Sequence, residues 1–210
     1  MREEQFTWSR FERACQTLAI KADRKVFDDL ASAYGEPTRA YHNRTHVSAC
    51  LAALDHYGHI ASAPAEIEMA LWFHDAVYDA TRGDNEALSA AWALEALGAA
   101  GLTNDALARV EAMIVATKTH DASALGTDGE LMLDIDLGIL GMPPEVFERY
   151  DAQIGEEYSW VPEDAYGPRR CAVLQQFLAR ERIYLTDEVR GDLEAQARSN
   201  LKRKIEELSE

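Results

Sequence analysis

Three observations predict an all-α fold. Ala, Leu and Glu are abundant, and only 12 glycines and 6 prolines punctuate 210 residues, a composition that suits helices. Apolar residues recur at three- and four-residue spacing through most of the chain. Strand-like alternation is confined to Leu133-Asp134-Ile135-Asp136-Leu137, and one such segment without a partner run does not make a sheet.

Phe11, Cys15 and Leu18 share one face of a first helix, and Val26, Phe27 and Leu30 mark a second. Asn43 is placed to cap a third, which carries Val47, Cys50, Leu51 and Leu54, because its short side chain can accept an orphan amide. Pro64 and Glu66 open a helix expected to run through Met69, Leu71 and Phe73 to Val77, with proline at a position that needs no amide. Asp84 or Asn85 starts the next, packing Leu88, Ala91, Trp92 and Leu94 and ending near Gly98. Asn104 begins another through Leu107, Val110, Met113 and Ile114. After a polar loop from Asp121 to Gly129, Leu131 to Leu140 reads as a short buried helix closed by Gly141. Pro143-Pro144 opens one more, and Val173, Leu174, Phe177 and Leu178 belong to a helix after Pro168. Val189, Leu193, Ala197, Leu201 and Ile205 recur every four residues in the last, with Leu208 closing the stripe. Trp72, Trp92 and Trp160 follow helical neighbours and are expected in the core or a cleft wall.

No repeat or linker divides this series, so residues 1–210 are expected to form a single compact multi-helix bundle, a length that buries a sizeable core. A net charge of −16 without a Lys/Arg cluster sets the chain against nucleic-acid polymers and anionic membranes. No apolar run approaches the ~20 residues of a membrane span, and Met1-Arg2-Glu3-Glu4-Gln5 lacks a signal-peptide core. Cys15, Cys50 and Cys171 are odd in number and far apart, which fits reduced thiols and a cytoplasmic location.

Chemistry is concentrated in a few polar residues set among apolar ones. His74-Asp75 lies in a segment with Ala70, Leu71, Trp72, Val77 and Tyr78 around it. Two adjacent side chains point about 100° apart on a helix, so both cannot turn to water in such a run. Taken alone, this pair could be a hydrogen-bonded core pair. His46 is followed by Val47, Cys50, Leu51 and Leu54, and Asp136 lies among Leu133, Ile135, Leu137, Ile139 and Leu140, with Asp134 close by. Two imidazoles and two carboxylates form a mixed N/O set for a divalent cation, and the ion supplies the counter-charge that burial demands. His42 shares a face with His46 if that helix begins early enough.

The order His46 … His74-Asp75 … Asp136 resembles the His-Asp (HD) superfamily of metal-dependent phosphohydrolases. Tyr41-His42-Asn43, Trp72-Phe73-His74-Asp75, Tyr78-Asp79, Asn85-Glu86, Thr117-Lys118-Thr119-His120, Asp134 to Gly141, Glu157-Tyr158-Ser159-Trp160 and the stretch from Arg170 to Tyr184 resemble a subfamily of small HD phosphohydrolases across nearly the whole chain. The resemblance implies an HD-domain bundle with His46, His74, Asp75 and Asp136 as metal ligands. It puts Asp79 where alarmone hydrolases of the superfamily carry a catalytic acid; those enzymes have glutamate one position earlier, where this chain has Tyr78. The implied activity is hydrolysis of a small phosphoester, a nucleotide or a related molecule, by metal-activated water. Asp79, one helical turn from Asp75, is expected to move the proton. His42, Arg44, Lys118 and His120 are candidates for contacts to the substrate phosphate, with His120 alternatively a further metal ligand. Mn, Co, Ni, Fe, Zn and Mg all suit such a donor set. Two other readings share the site: a non-catalytic metal- and nucleotide-sensing module, and a di-iron oxygenase.

Overall fold

The computed structural model describes residues 5–209, which form ten α-helices and two 3-10 turns and no strand. Residue contacts divide the chain into two units, Met1–Asp136 and Leu137–Glu210. Every candidate site residue belongs to the first.

Capping chemistry sets most helix starts in the first unit. Thr7 accepts the Arg10 amide to open α1 (Trp8–Thr17), Asp23 accepts that of Lys25 at α2 (Arg24–Ala33), and Asn43 accepts that of Thr45 at α3 (Arg44–Tyr57). Helix α4 (Pro64–Phe73) begins with proline, and a distant carboxylate completes its start: Asp128 accepts the Ser62 and Ala63 amides at 2.7 and 2.8 Å. Helix α5 (Asn85–Ala100) ends on Gly101, whose φ of 99° is the left-handed conformation glycine adopts without strain. Helices α6 (Asn104–Ala116) and α7 (Gly126–Asp136) complete the unit.

Helix α4 is the axis of this unit. Ile67, Met69, Ala70, Leu71, Trp72 and Phe73 are all fully buried, and the helix packs against α1, α3, α5, α6 and α7. From Met69 to Phe73 the helix is apolar on every side and has no face to give to water, and each large side chain buried this way contributes about 1.5–3 kcal/mol. Phe6, Phe11 and Phe27 surround Trp72 with ring centroids 4.6, 5.5 and 6.1 Å away.

Four elements differ from the sequence expectation. Helix α4 stops at Phe73 instead of reaching Val77, because side chains take its next hydrogen bonds. The Asp75 amide donates to the Tyr34 hydroxyl (3.2 Å), the Tyr34 hydroxyl donates to the Trp72 carbonyl (3.1 Å), and the Val77 amide donates to Ser89 Oγ (3.0 Å). The buried face of α5 carries Ser89, Ala90, Ala93 and Leu97, while Leu88 is exposed; small residues, not the largest ones, sit in this interface. Helix α7 starts at Gly126, inside the expected loop, and Leu137–Gly141 is a 3-10 turn. Lastly, α9 (Glu163–Leu178) starts ahead of Pro168 and contains it, with Glu163 and Asp164 in the first turn where carboxylates suit the helix dipole.

In the second unit, the turn Leu137–Gly141 lies against α10 (Asp187–Glu207), beside α8 (Pro144–Glu157) and α9. Gly141 is required there: a Cβ would fall 2.6 Å from that of Leu193. Fully buried Asn200 donates to the Leu140 and Met142 carbonyls at 2.9 and 2.8 Å. Arg198 donates to the Leu178, Arg180 and Glu181 carbonyls, so α10 stitches down the chain that leaves α9. Trp160 is 52% exposed, unlike the buried Trp72. Among the described residues no helix is long and apolar enough to cross a membrane.

Asn200→Ala removes the donor to two carbonyls and should destabilise the protein by about 2–3 kcal/mol. Urea denaturation checks this, and an unchanged midpoint would show that the two carbonyls find other partners.

Candidate metal centre

Three helix ends and one turn deliver the polar residues. His46 sits in the first turn of α3, and Asn43, which caps that helix, also donates to the Ala40 carbonyl at 2.8 Å. His74 is the residue after α4, Asp75 lies in the turn that follows, and Asp136 is the last residue of α7. Tertiary packing brings them together. The Nε2 atoms of His46 and His74 lie 3.0 Å apart. Asp136 Oδ1 is 3.2 Å from His46 Nε2 and 3.4 Å from His74 Nε2, and Asp75 Oδ2 is 3.6 and 3.0 Å from the same two atoms. His46, His74 and Asp136 each offer a ligand atom, all within 4.8 Å of one another.

The protonation pattern of this cluster matters most. His74 Nδ1 lies 2.9 Å from the Leu71 carbonyl, which can only accept, so Nδ1 carries a proton and Nε2 is the nitrogen turned to the cluster. Nε2 faces a second imidazole nitrogen and two carboxylate oxygens. Such a group is tolerable only with a proton or a cation in its midst. In the metal-free cluster protons play that part. Burial opposes a charge on His74, but the Asp75 and Asp136 carboxylates outweigh it and hold the imidazolium well above its ordinary range. Burial likewise opposes ionisation of Asp136, but hydrogen bonds from His120, His46 and His74 outweigh it and hold its carboxyl well below the usual range. Asp75 is held low in the same manner, against burial, by His74, His42 and His46.

The donors fit a divalent ion. A cation about 2.1 Å from each donor spaces neighbouring ligands by about 3.0 Å in octahedral and about 3.4 Å in tetrahedral coordination, close to the contacts found here. Imidazole nitrogen and carboxylate oxygen together suit first-row transition metals. The Leu71 carbonyl supplies the outer bond that orients a ligating imidazole.

The other candidates divide into two groups. His120 joins the cluster: it follows α6 in a left-handed conformation (φ 51°) and its Nε2 lies 3.1 Å from Asp136 Oδ2. Asp136 therefore presents one oxygen to each side. His42 precedes α3, since the Asn43 cap starts that helix too late to include it. Even so, its ring stacks on Tyr78 at 4.2 Å and stands 6.0 Å from that of His46.

Arg44, Lys118 and Asp79 are engaged elsewhere. The Arg44 guanidinium donates to the Ala31 carbonyl and lies over the Phe6 ring. Lys118 donates to the Gly83 carbonyl. Asp79 is not one helical turn from Asp75, because α4 has already ended; it sits exposed in a turn, where Oδ1 accepts the Thr81 amide and hydroxyl at 2.8 and 2.7 Å. Those bonds lower its carboxyl pKa.

Two structural partners of the site are not among the residues that the sequence singles out. Tyr34, fully buried, holds the Asp75 amide and the Trp72 carbonyl through one hydroxyl. Arg39 is also buried and donates to the carbonyls of His42, Asp75 and Ala76. Tyr34 continues the Phe27–Leu30 face of α2, a signal that reads only as core, and Arg39 sits in the loop beyond it with no helical period.

In comparisons with known proteins, no family model, no curated protein and no solved structure matches this chain.

Tyr34→Phe keeps the ring but leaves the Asp75 amide and the Trp72 carbonyl without their shared partner. The expected cost is about 1–3 kcal/mol, measured by chemical denaturation of the metal-free protein. No loss would mean that the hydroxyl is replaced by water.

Proposed function

We propose that this protein is a metal-dependent phosphohydrolase of the HD kind, acting on a small phosphoester such as a nucleotide or a related molecule. The observation that carries this reading is the convergence of His46 Nε2, His74 Nε2, Asp75 Oδ2 and Asp136 Oδ1 within a buried pocket of lone pairs. It is joined by the motif order that resembles the HD superfamily.

In this reading His46, His74, Asp75 and Asp136 hold one divalent ion, of the series Mn, Co, Ni, Fe, Zn and Mg. When bound, the ion polarises a phosphoryl oxygen and acidifies a coordinated water. His120, on the second oxygen of Asp136, keeps that carboxylate turned so that its first oxygen meets the imidazole pair. His42, held against Tyr78, is the chain's donor to a substrate phosphoryl or leaving oxygen. Arg44 and Lys118, which bond the Ala31 and Gly83 carbonyls, remain candidates for contacts to the substrate phosphate. With a net charge of −16, long-range attraction does not recruit an anionic substrate; local positive charge at the cluster must do so. Nucleic-acid polymers, which need an extended basic surface, fall outside the proposal.

Elemental analysis of gently purified protein should return a stoichiometric first-row metal, and His74→Ala should lose it. The loaded wild type should release phosphate or nucleoside from a panel of phosphoesters. Metal and tight nucleotide binding without turnover would replace the enzyme with a sensor, and two irons per chain with oxygen consumption would replace it with an oxygenase.

Asp79 takes the proton-moving role that the resemblance gives it. Asp79→Asn should retain the metal and lose turnover by about 100-fold or more, read from steady-state rates alongside metal content. Unchanged turnover assigns Asp79 to its turn with Thr81 and removes it from the chemistry.

A further inference from the structure

We infer that Arg39 is a positioning residue that sets the geometry of the cluster from outside it, an inference that rests on the metal-site reading above. It comes from how this side chain is spent. Its side chain is 2% exposed, and an arginine is almost never buried to that degree unless its donors are matched. Here they are matched almost wholly by backbone. Nη1 donates to the carbonyls of Asp75 (2.6 Å) and His42 (3.2 Å), and Nη2 donates to that of Ala76 (3.0 Å). Nε donates to Glu36 (3.2 Å), whose side chain is half exposed.

Those carbonyls belong to the two segments that must be registered for the donors to meet. One is the loop entering α3, where His42 adjoins the Asn43 cap and His46 follows in the first helical turn. The other is the turn leaving α4, which carries His74 and Asp75. His46 and His74 are 28 residues apart, and no helix spans that interval. The planar guanidinium bridges the two segments with three bonds from two nitrogens, a fork that a lysine ammonium cannot reproduce.

Its faces are used as well. The guanidinium carbon lies 5.3 Å from the Tyr34 ring centroid and 5.6 Å from that of Tyr78, and Tyr78 stacks in turn on His42. Tyr34, Arg39, Tyr78 and His42 are thus successive neighbours from the core to the site. Tyr34 meets the same turn again through the Asp75 amide. The amide of Asp75 and its carbonyl are therefore both tied by side chains, which leaves its carboxylate little freedom to leave the imidazoles. Outer partners of this kind tune metal affinity by about 10–100-fold.

The test uses the full chain and Co2+ as the probe, because its visible absorption reports coordination geometry. Arg39→Lys and Arg39→Met are compared with wild type by calorimetric titration and visible spectra, with thermal unfolding of each metal-free protein alongside. The expected result is folded variants that bind Co2+ about 10–100-fold more weakly with an altered spectrum, Lys being less affected than Met. The destabilised Asn200→Ala protein should bind Co2+ as wild type does, which separates stability from positioning. Lowered thermal stability with wild-type Co2+ affinity and spectrum would make Arg39 merely structural and overturn the inference. If neither Arg39 variant folds, Tyr78→Leu carries the test: it removes one face of the guanidinium's packing, and wild-type affinity and spectrum would again overturn it. Wild type that takes up no Co2+ overturns the metal reading itself, and the inference falls with it; that outcome differs from wild type and variants binding alike.

Discussion

Repulsion between lone pairs is the constraint around which the first unit is organised. Two imidazole nitrogens 3.0 Å apart and two carboxylate oxygens at similar range cannot persist in an apolar interior without positive charge between them. A proton on His74 meets part of that need: the neighbouring carboxylates favour the imidazolium, and its hydrogen bond, with those from His120 and His46, favours ionised Asp136. A divalent ion held by His46, His74 and Asp136 would satisfy the same group of acceptors. The cost of burying these groups therefore becomes binding free energy for a cation.

Holding four acceptors together needs a rigid surround, and the chain builds it by interrupting a helix. Helix α4 is the most buried element of its unit, and continuing it would carry Asp75 and Val77 onward at a fixed pitch. Tyr34 and Ser89 take the Asp75 and Val77 amides instead, and Arg39 takes the Asp75 and Ala76 carbonyls. Each diverted group finds a partner, so the break costs little. In the turn that results, His74 Nε2 and Asp75 Oδ2 lie 3.0 and 3.6 Å from His46 Nε2. Asp128 plays a similar part at the other end of α4, where it caps the helix from α7.

The placement of charge singles out one buried point. Acidic residues outnumber basic ones 37 to 21, yet the inferred ion brings positive charge to the cluster alone. His120 bonds Asp136 and the His42 ring stands 6.0 Å from that of His46, while Arg44 and Lys118 bond the Ala31 and Gly83 carbonyls.

Composition and periodicity by themselves determined that the chain is helical, where most helices begin, and that His46, His74 and Asp136 lie in apolar surroundings. Those features depend on neighbours one turn away or on the residue's own cap, so they are written locally. What only tertiary structure decided depends on partners far along the chain. The stop of α4 at Phe73 depends on Tyr34 and Ser89; the displacement of Asp79 follows from it. The engagement of Arg44 with Ala31 and of Lys118 with Gly83, the pairing of His120 with Asp136, and the bridging role of Arg39 each join residues 13 to 37 positions apart. No helical period relates such positions, because side chains at those separations meet only after the helices have packed.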